Sequence, residues 1–89
     1  MKAIVTVTGR DKTGIIAGVS ATLAECGVNI LDISQTVLQD YFAMIMLVDL
    51  SGSRVSFTDL SEKLSETGRN MRMDIRIMRE EIFDAMHRI

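Results

Sequence analysis

The 89-residue sequence has no proline, no tryptophan and a single cysteine, and aromatic residues make up 4% of it. Because Cys26 has no partner, an intrachain disulfide and a metal site built on paired thiolates are excluded, which fits a reducing compartment such as the cytoplasm. An RNA-reading sheet needs exposed aromatic side chains among basic ones, and three phenylalanines and one tyrosine are too few. We therefore expect no metal ion, no other cofactor and no RNA-binding surface.

The sequence also lacks a basic stripe and a long apolar run. Ten Lys and Arg residues are scattered among twelve Asp and Glu residues, for a formal net charge of −2, so nucleic acid is not expected as a partner. The longest apolar run, Tyr41 to Val48, is far shorter than the roughly 20 residues of a membrane-spanning helix. The sequence begins with a strand pattern rather than a basic and then apolar leader. We expect a cytoplasmic protein without a membrane segment.

No linker divides the chain, so residues 1–89 are predicted to form a single domain. A domain of this size buries only about 60–65% of its unfolded surface and is marginal alone. Yet 47% of the residues are hydrophobic, more than one small core requires. Self-association is therefore expected.

Period-two alternation of apolar residues predicts four β-strands. Their ranges are 2–9, 28–38, 41–50 and 71–78. Gln39 and Asp40 supply a short turn that makes the second and third strands a hairpin.

Helical periodicity predicts a helix over 14–26, capped by Asp11 or Thr13 and ended by Gly27 in the left-handed conformation. Its inward stripe is predicted to be Ile16, Val19, Leu23 and Cys26. Ser56 and Asp59 resemble a capping box that opens a second helix, which Gly68 closes. Residues 80–89 are predicted to form an amphipathic tail in which His87 is interpreted as a surface or interface residue.

The order of these elements predicts an α+β fold, a ferredoxin-like βαββαβ sandwich. Two helices would cover one face of a four-stranded antiparallel sheet, and a short C-terminal helix would follow. The opposite face is predicted to carry Ile4, Met44, Met46 and Val48. Since these residues are too apolar for water, we expect the tail helix or a second copy to bury them.

The junction from Gly9 to Ile16, where the first strand meets the first helix, is the predicted ligand site. The first N–H groups of a helix lack intrahelical partners and can bind an anion. Asp11 either holds a ligand ammonium group or caps its own helix, and the side chains of Arg10 and Lys12 either attract an anion or are solvated. Asn29 either binds a zwitterion or serves turn geometry.

An enzyme is the alternative, because the same loop could cradle a phosphate. Arg10 would bind it and Asn29 would orient a water, as in small acylphosphatases. Asp11 would repel the phosphate, however, and no His, Cys or Ser has an evident base beside it. A purely structural dimerisation module is the third hypothesis.

Three segments, residues 9–16, 24–30 and 34–35, resemble the ACT-domain family, and the likeness covers nearly the whole chain. It is strongest to the ACT modules of glycine-cleavage regulators and formyltetrahydrofolate deformylases and to small stand-alone bacterial ACT proteins. The resemblance implies a homodimer that binds amino acids or related metabolites between the first loop, the first helix and the second strand. It also implies a regulatory role without catalysis.

The family's motifs transfer to particular residues. Its Asp-x-x-Gly turn matches Asp11 and Gly14, and its Gly-x-Asn-Ile helix exit matches Gly27, Asn29 and Ile30. Thr13 stands where many relatives have proline, which loosens the turn. The complete set of predicted ligand-binding residues is Arg10, Asp11, Lys12, Gly14, Ile15, Asn29 and Ile30.

Overall fold

A computed structural model describes residues 1–86 of the chain. Its elements are β1 (Lys2–Arg10), α1 (Ile15–Glu25), β2 (Asn29–Leu38), β3 (Tyr41–Asp49), α2 (Phe57–Met71), β4 (Asp74–Arg79) and α3 (Glu80–Met86). The strands form one antiparallel sheet in the order β2-β3-β1-β4. The predicted ferredoxin-like fold is confirmed. The end of the predicted tail, including His87, lies outside the described residues.

Every second residue of β1 and β3 faces the two long helices and builds the core. These residues pack with Val19 and Leu23 of α1 and with Leu60 and Leu64 of α2. All are buried, because the sheet face and the two helix stripes exclude water from one another. The opposed pairs on this face are Ala3 with Val48, Val5 with Met46 and Val7 with Met44.

The prediction that Met44, Met46 and Val48 lie on the open face is therefore wrong. Residues directly opposite each other in an antiparallel pair share a face, and the partners of these three are the buried residues of β1. The open face instead carries Ile45 and Leu47. Alternation could not assign the faces because β3 is apolar at almost every position, so both registers look equally apolar.

Ile4 does lie on the open face, where it is opposite Leu47 on one side and Met78 on the other. The short helix α3 covers this part of the sheet, and Phe83 lines a cavity of about 220 Å³ together with Ile4 and Met78. The half of the face nearer β2 stays open, and Ile45 is 39% exposed there. The tail helix thus buries part of this apolar surface.

The start of α1 differs from the predicted one. Gly14 is the N-cap residue, with φ 90° and ψ 5°, and no side chain caps the helix, so the prediction of Asp11 or Thr13 as cap is wrong. The inward stripe also shifts, because Ile15 is buried while Ile16 is exposed. The left-handed Gly14 precedes the helix, which begins at Ile15, and Ile15 lies four residues before Val19 on the same helix face.

The end of α1 is as predicted. Gly27 has φ 75°, and the Val28 N–H donates to the Leu23 carbonyl at 3.0 Å. This six-residue closure is the Schellman arrangement, in which a left-handed residue satisfies the last carbonyls of a helix.

The helix α2 runs past its predicted end at Gly68 and stops at Met71, so β4 begins at Asp74. Ser56 caps its start as predicted, accepting the Asp59 N–H at 3.1 Å. Gly68 has a packing role instead, since a Cβ there would lie 2.6 Å from the Met73 carbonyl oxygen.

The same Schellman closure ends α2, but with Arg72 in the left-handed position. Arg72 has φ 56° and ψ 42°, and the Met73 N–H donates to the Gly68 carbonyl at 2.8 Å. The left-handed region costs a residue with a Cβ about 1–2 kcal/mol relative to the right-handed one, a cost that glycine escapes.

Arg72→Gly is therefore expected to raise the free energy of unfolding by about 1 kcal/mol, measured by urea denaturation. Arg72→Ala is the control because it removes the long side chain and keeps the Cβ. A glycine variant no more stable than the alanine variant would contradict the strain argument.

Candidate functional site

A shallow groove of about 390 Å³ lies between the β1–α1 loop, the first turn of α1 and β2. Its volume falls in the range of small-molecule sites. The lining residues are Asp11, Lys12, Gly14, Ile15, Ile16, Ala17, Gln35, Val37 and Phe42. The groove therefore brings together four of the seven predicted ligand-binding residues, Asp11, Lys12, Gly14 and Ile15.

One end of the groove is formed by backbone donors of α1. The first intrahelical bond runs from the Gly18 N–H to the Gly14 carbonyl at 2.9 Å. The N–H groups of Ile15, Ile16 and Ala17 precede that bond, so they have no intrahelical acceptor, and no side chain caps them. Free N–H groups at the positive end of a helix dipole are suited to bind a carboxylate.

Asp11 supplies a negative charge to the same groove. Its main-chain N–H donates to the Asp40 carbonyl at 2.8 Å, which ties the loop to the β2–β3 turn. Its side chain is exposed, and no hydrogen bond or ion pair to the carboxylate occurs among residues 1–86. The carboxylate is thus free to receive a cationic group.

The two loop cations both have partners inside the subunit. The Lys12 ammonium donates to the main-chain carbonyl of Met71 at the end of α2. The guanidinium carbon of Arg10 lies 5.7 Å from the centre of the Tyr41 ring, and Arg10 is outside the groove lining. A cation over an aromatic face is weakly attracted to it.

Asn29 and Ile30 lie at the far end of β2 and do not line the groove. Asn29 is opposite Asp49, and Gln35, the first residue of β2 to line the groove, is six positions further on, about 20 Å along an extended strand. Near Asn29, the Ser51 hydroxyl and N–H both donate to the Asp49 carboxylate and lower its pKa. Within one subunit, the predicted site residues therefore fall into two groups, one at the groove and one at the other end of β2.

Sequence reasoning missed Gln35, Val37 and Phe42, which form the β-sheet wall of the groove. Gln35 is opposite Met44 and Val37 is opposite Phe42, so all of them lie on the helix-covered face. The hairpin register would have identified them, but the apolar pattern of β3 fits either face.

The described residues carry neither a metal-ligand cluster nor a membrane span. Among residues 1–86, no group of three His, Cys, Asp or Glu side chains is placed to hold a metal ion. No helix in this part of the chain is both long enough and apolar enough to cross a bilayer. Cys26 is a buried free thiol, 2% exposed.

Relatives of known sequence and structure match the chain over its length. The UPF0237 protein of Clostridium acetobutylicum is 57% identical over 89 residues, which is 100% of both chains. The ACT domain protein from Streptococcus pneumoniae superposes with a TM-score of 0.82 at 48% identity, covering 98% of each chain.

A formyltetrahydrofolate deformylase from Pseudomonas syringae shares the fold, with a TM-score of 0.79 at 22% identity over 88% of this chain and 27% of that one. The sequence model of the ACT domain matches residues 2–78. The match spans β1 through most of β4 and includes every residue that lines the groove. The chain thus belongs to the ACT domain family.

Proposed function

We propose that this protein is a regulatory module that binds an amino-acid-like zwitterion in the groove as a cytoplasmic homodimer and catalyses no reaction. The observation that carries the proposal is the pairing of opposite chemistries in one groove. Uncapped N–H groups of α1 suit the carboxylate of an amino acid, and the unpaired Asp11 carboxylate suits its ammonium group.

The state of Asp11 supports this function over a structural role. An aspartate at this position could have capped α1, but Gly14 is the N-cap residue and the Asp11 carboxylate makes no bond to the helix. Ile16, Val37 and Phe42 add an apolar wall against which an amino-acid side chain would pack.

A hydrolase is disfavoured by the position of its two candidate residues. Arg10 lies over the Tyr41 ring, and Asn29 is about 20 Å along β2 from the groove. An anionic phosphate would also meet the unpaired Asp11 carboxylate, which would repel it. The loop therefore suits binding of a zwitterion better than phosphate hydrolysis.

The exposed edge of β2 supports the homodimer. Residues 31–38 are all exposed, and the stretch from Ile33 to Leu38 contains no charged residue and no proline. Protected sheet edges usually carry such residues. At the other edge of the sheet, β4 is short and carries Asp74, Arg76 and Arg79. We infer that β2 pairs with β2 of a second copy.

This pairing would bring the partner's Asn29 to the end of the sheet that holds the groove. If two β2 strands pair antiparallel over their full length, from Asn29 to Leu38, the symmetry places Asn29 of the partner subunit opposite Leu38. Leu38 follows Val37, which lines the groove. Asn29 and Leu38 are opposite Asp49 and Tyr41 of β3, so both lie on the open face of the sheet. The partner's Asn29 would therefore lie next to the groove end of β2, on the side of the sheet away from the helices.

Asp11→Asn is expected to weaken amino-acid binding about 10- to 100-fold, because a hydrogen bond to a charged group contributes about 1.5–3 kcal/mol. A thermal-shift screen of the wild type against the twenty amino acids identifies the ligand, since binding to the folded state raises the melting temperature. Calorimetric titration then measures both affinities.

Asp84→Asn on α3 is the matched control and should bind like the wild type. If no amino acid raises the melting temperature of a folded sample, the proposed ligand class is wrong. Association without binding would instead support a structural dimerisation module.

A further inference from the structure

The last carbonyl of α2 is satisfied by a side chain from the other end of the sequence. The Lys12 ammonium donates to the Met71 main-chain oxygen, across 59 positions of the chain. Two carbonyls earlier in this turn accept hydrogen bonds from nearby main-chain groups. The Arg72 N–H donates to the Arg69 carbonyl, and the Met73 N–H donates to the Gly68 carbonyl. A cation at a helix C-terminus also interacts favourably with the helix dipole.

The thioether groups of Met71 and Met73 lie near this hydrogen bond and pack against α1 and β1. A Cβ built on Gly18 of α1 would lie 2.8 Å from the sulfur of Met71, and one built on Gly9 would lie 2.7 Å from the sulfur of Met73. Each sulfur therefore packs directly on a glycine backbone, one before the β1–α1 loop and one after it. The turn between α2 and β4 is in contact with both ends of the ligand loop.

We infer that Lys12 is a positioning residue that clamps the β1–α1 loop onto the end of α2 and so fixes Asp11, rather than a residue that contacts the ligand. Two hydrogen bonds fix the position of Asp11. Its own N–H donates to the Asp40 carbonyl, and the ammonium group of the next residue, Lys12, donates to the Met71 carbonyl. This role rests on the proposed function of the groove, but the clamp itself is testable without a ligand.

The clamp has a consequence for the ligand. The ammonium group of Lys12 is held on the Met71 carbonyl and keeps its charge, whereas no partner of the Asp11 carboxylate occurs among residues 1–86. A cationic group of the ligand would be received by Asp11, and with Lys12 held away the carboxylate of an amino acid is left to the N–H groups of α1.

Amide hydrogen exchange of the unliganded protein tests the clamp. In Lys12→Met, which keeps an unbranched side chain one atom shorter and removes the donor, the amides of Arg72, Met73 and Asp11 are expected to exchange about five- to tenfold faster. Lys12→Arg keeps a donor and should restore wild-type exchange. Arg10→Met removes the neighbouring loop cation and should leave Arg72 and Met73 unchanged.

For any amino acid that binds the wild type, the salt dependence of its affinity distinguishes a Lys12 that positions the loop from a Lys12 that contacts the ligand. Its affinity should fall about two- to tenfold in Lys12→Met through lost pre-organisation, return in Lys12→Arg, and keep the wild-type response to sodium chloride in both. A charge contact with the ligand would instead make the Lys12→Met affinity less sensitive to salt.

Unchanged exchange at Arg72 and Met73 in Lys12→Met would overturn the clamp, and a loss of salt sensitivity would overturn the positioning role. If no amino acid binds, the proposed function fails on its own, and the exchange rates still decide whether Lys12 clamps the loop.

Discussion

Replacing Met46 by alanine is expected to lower the free energy of unfolding by about 2–5 kcal/mol, because the substitution leaves a cavity in a close-packed core. Met46 has no exposed surface and lies opposite Val5 of β1 and Ile33 of β2. The free energy of unfolding of a small domain is about 5–15 kcal/mol in total, so the loss would be a large share of it. Urea unfolding followed by circular dichroism measures the change.

Met86→Ala is the matched control, the same substitution at a side chain that is 65% exposed, and it should change stability by less than about 0.5 kcal/mol. Equal losses in the two variants would show that Met46 does not lie on the helix-covered face. The comparison therefore tests the assignment of the two faces of β3 directly.

Ile33→Lys is expected to convert the proposed homodimer into a monomer. In the proposed β2 pairing, the two copies of Ile33 lie close to the symmetry axis, so the substitution brings two ammonium groups together. Like charges placed against each other across an interface cost several kcal/mol, which raises the dimer dissociation constant about a hundredfold or more. Sedimentation equilibrium over a range of concentrations measures this constant.

Ile82→Lys provides the control for charge and exposure. Ile82 lies on α3 and is 49% exposed, against 41% for Ile33, so both substitutions place a lysine at a half-exposed apolar position. The Ile82 variant should dimerise like the wild type. A dimer that survives Ile33→Lys, or that is lost equally in Ile82→Lys, would rule out β2 as the pairing edge.

The fold could be predicted because its decisive signals are local. The turn at Gln39 and Asp40, the Ser56 cap and the left-handed Gly27 each act within a few residues, and each lies where the sequence predicts it. The order of the elements then leaves few compact arrangements, since sequential strands pair and each amphipathic helix must cover the sheet.

The capping of α1 by Gly14 is a local error, whereas several other errors concern contacts between distant parts of the chain. The face to which Met46 points depends on pairing with β1, and the end of α2 depends on a left-handed arginine that no local rule favours. The role of Lys12 depends on a carbonyl 59 positions away. Neither periodicity nor motif spacing contains this information.

The candidate site was predicted in part for the same reason. Asp11 and Gly14 belong to one loop, so a single motif places them together. Gln35 and Asn29 lie on the same strand, and their relation to the loop depends first on the hairpin register and then, in the proposed homodimer, on a second subunit. That second step is tested by the Ile33→Lys variant.

Because Cys26 is buried, the reactivity of its thiol reports local unfolding at the end of α1. This thiol ends α1 with 2% of its surface exposed, so a thiol reagent can modify it only in molecules whose helix end has separated from the sheet. The modification rate would therefore follow local unfolding at the end of α1 away from the groove, without any engineered label. Since an occupied groove favours the closed state, slower labelling would serve as a readout for ligands.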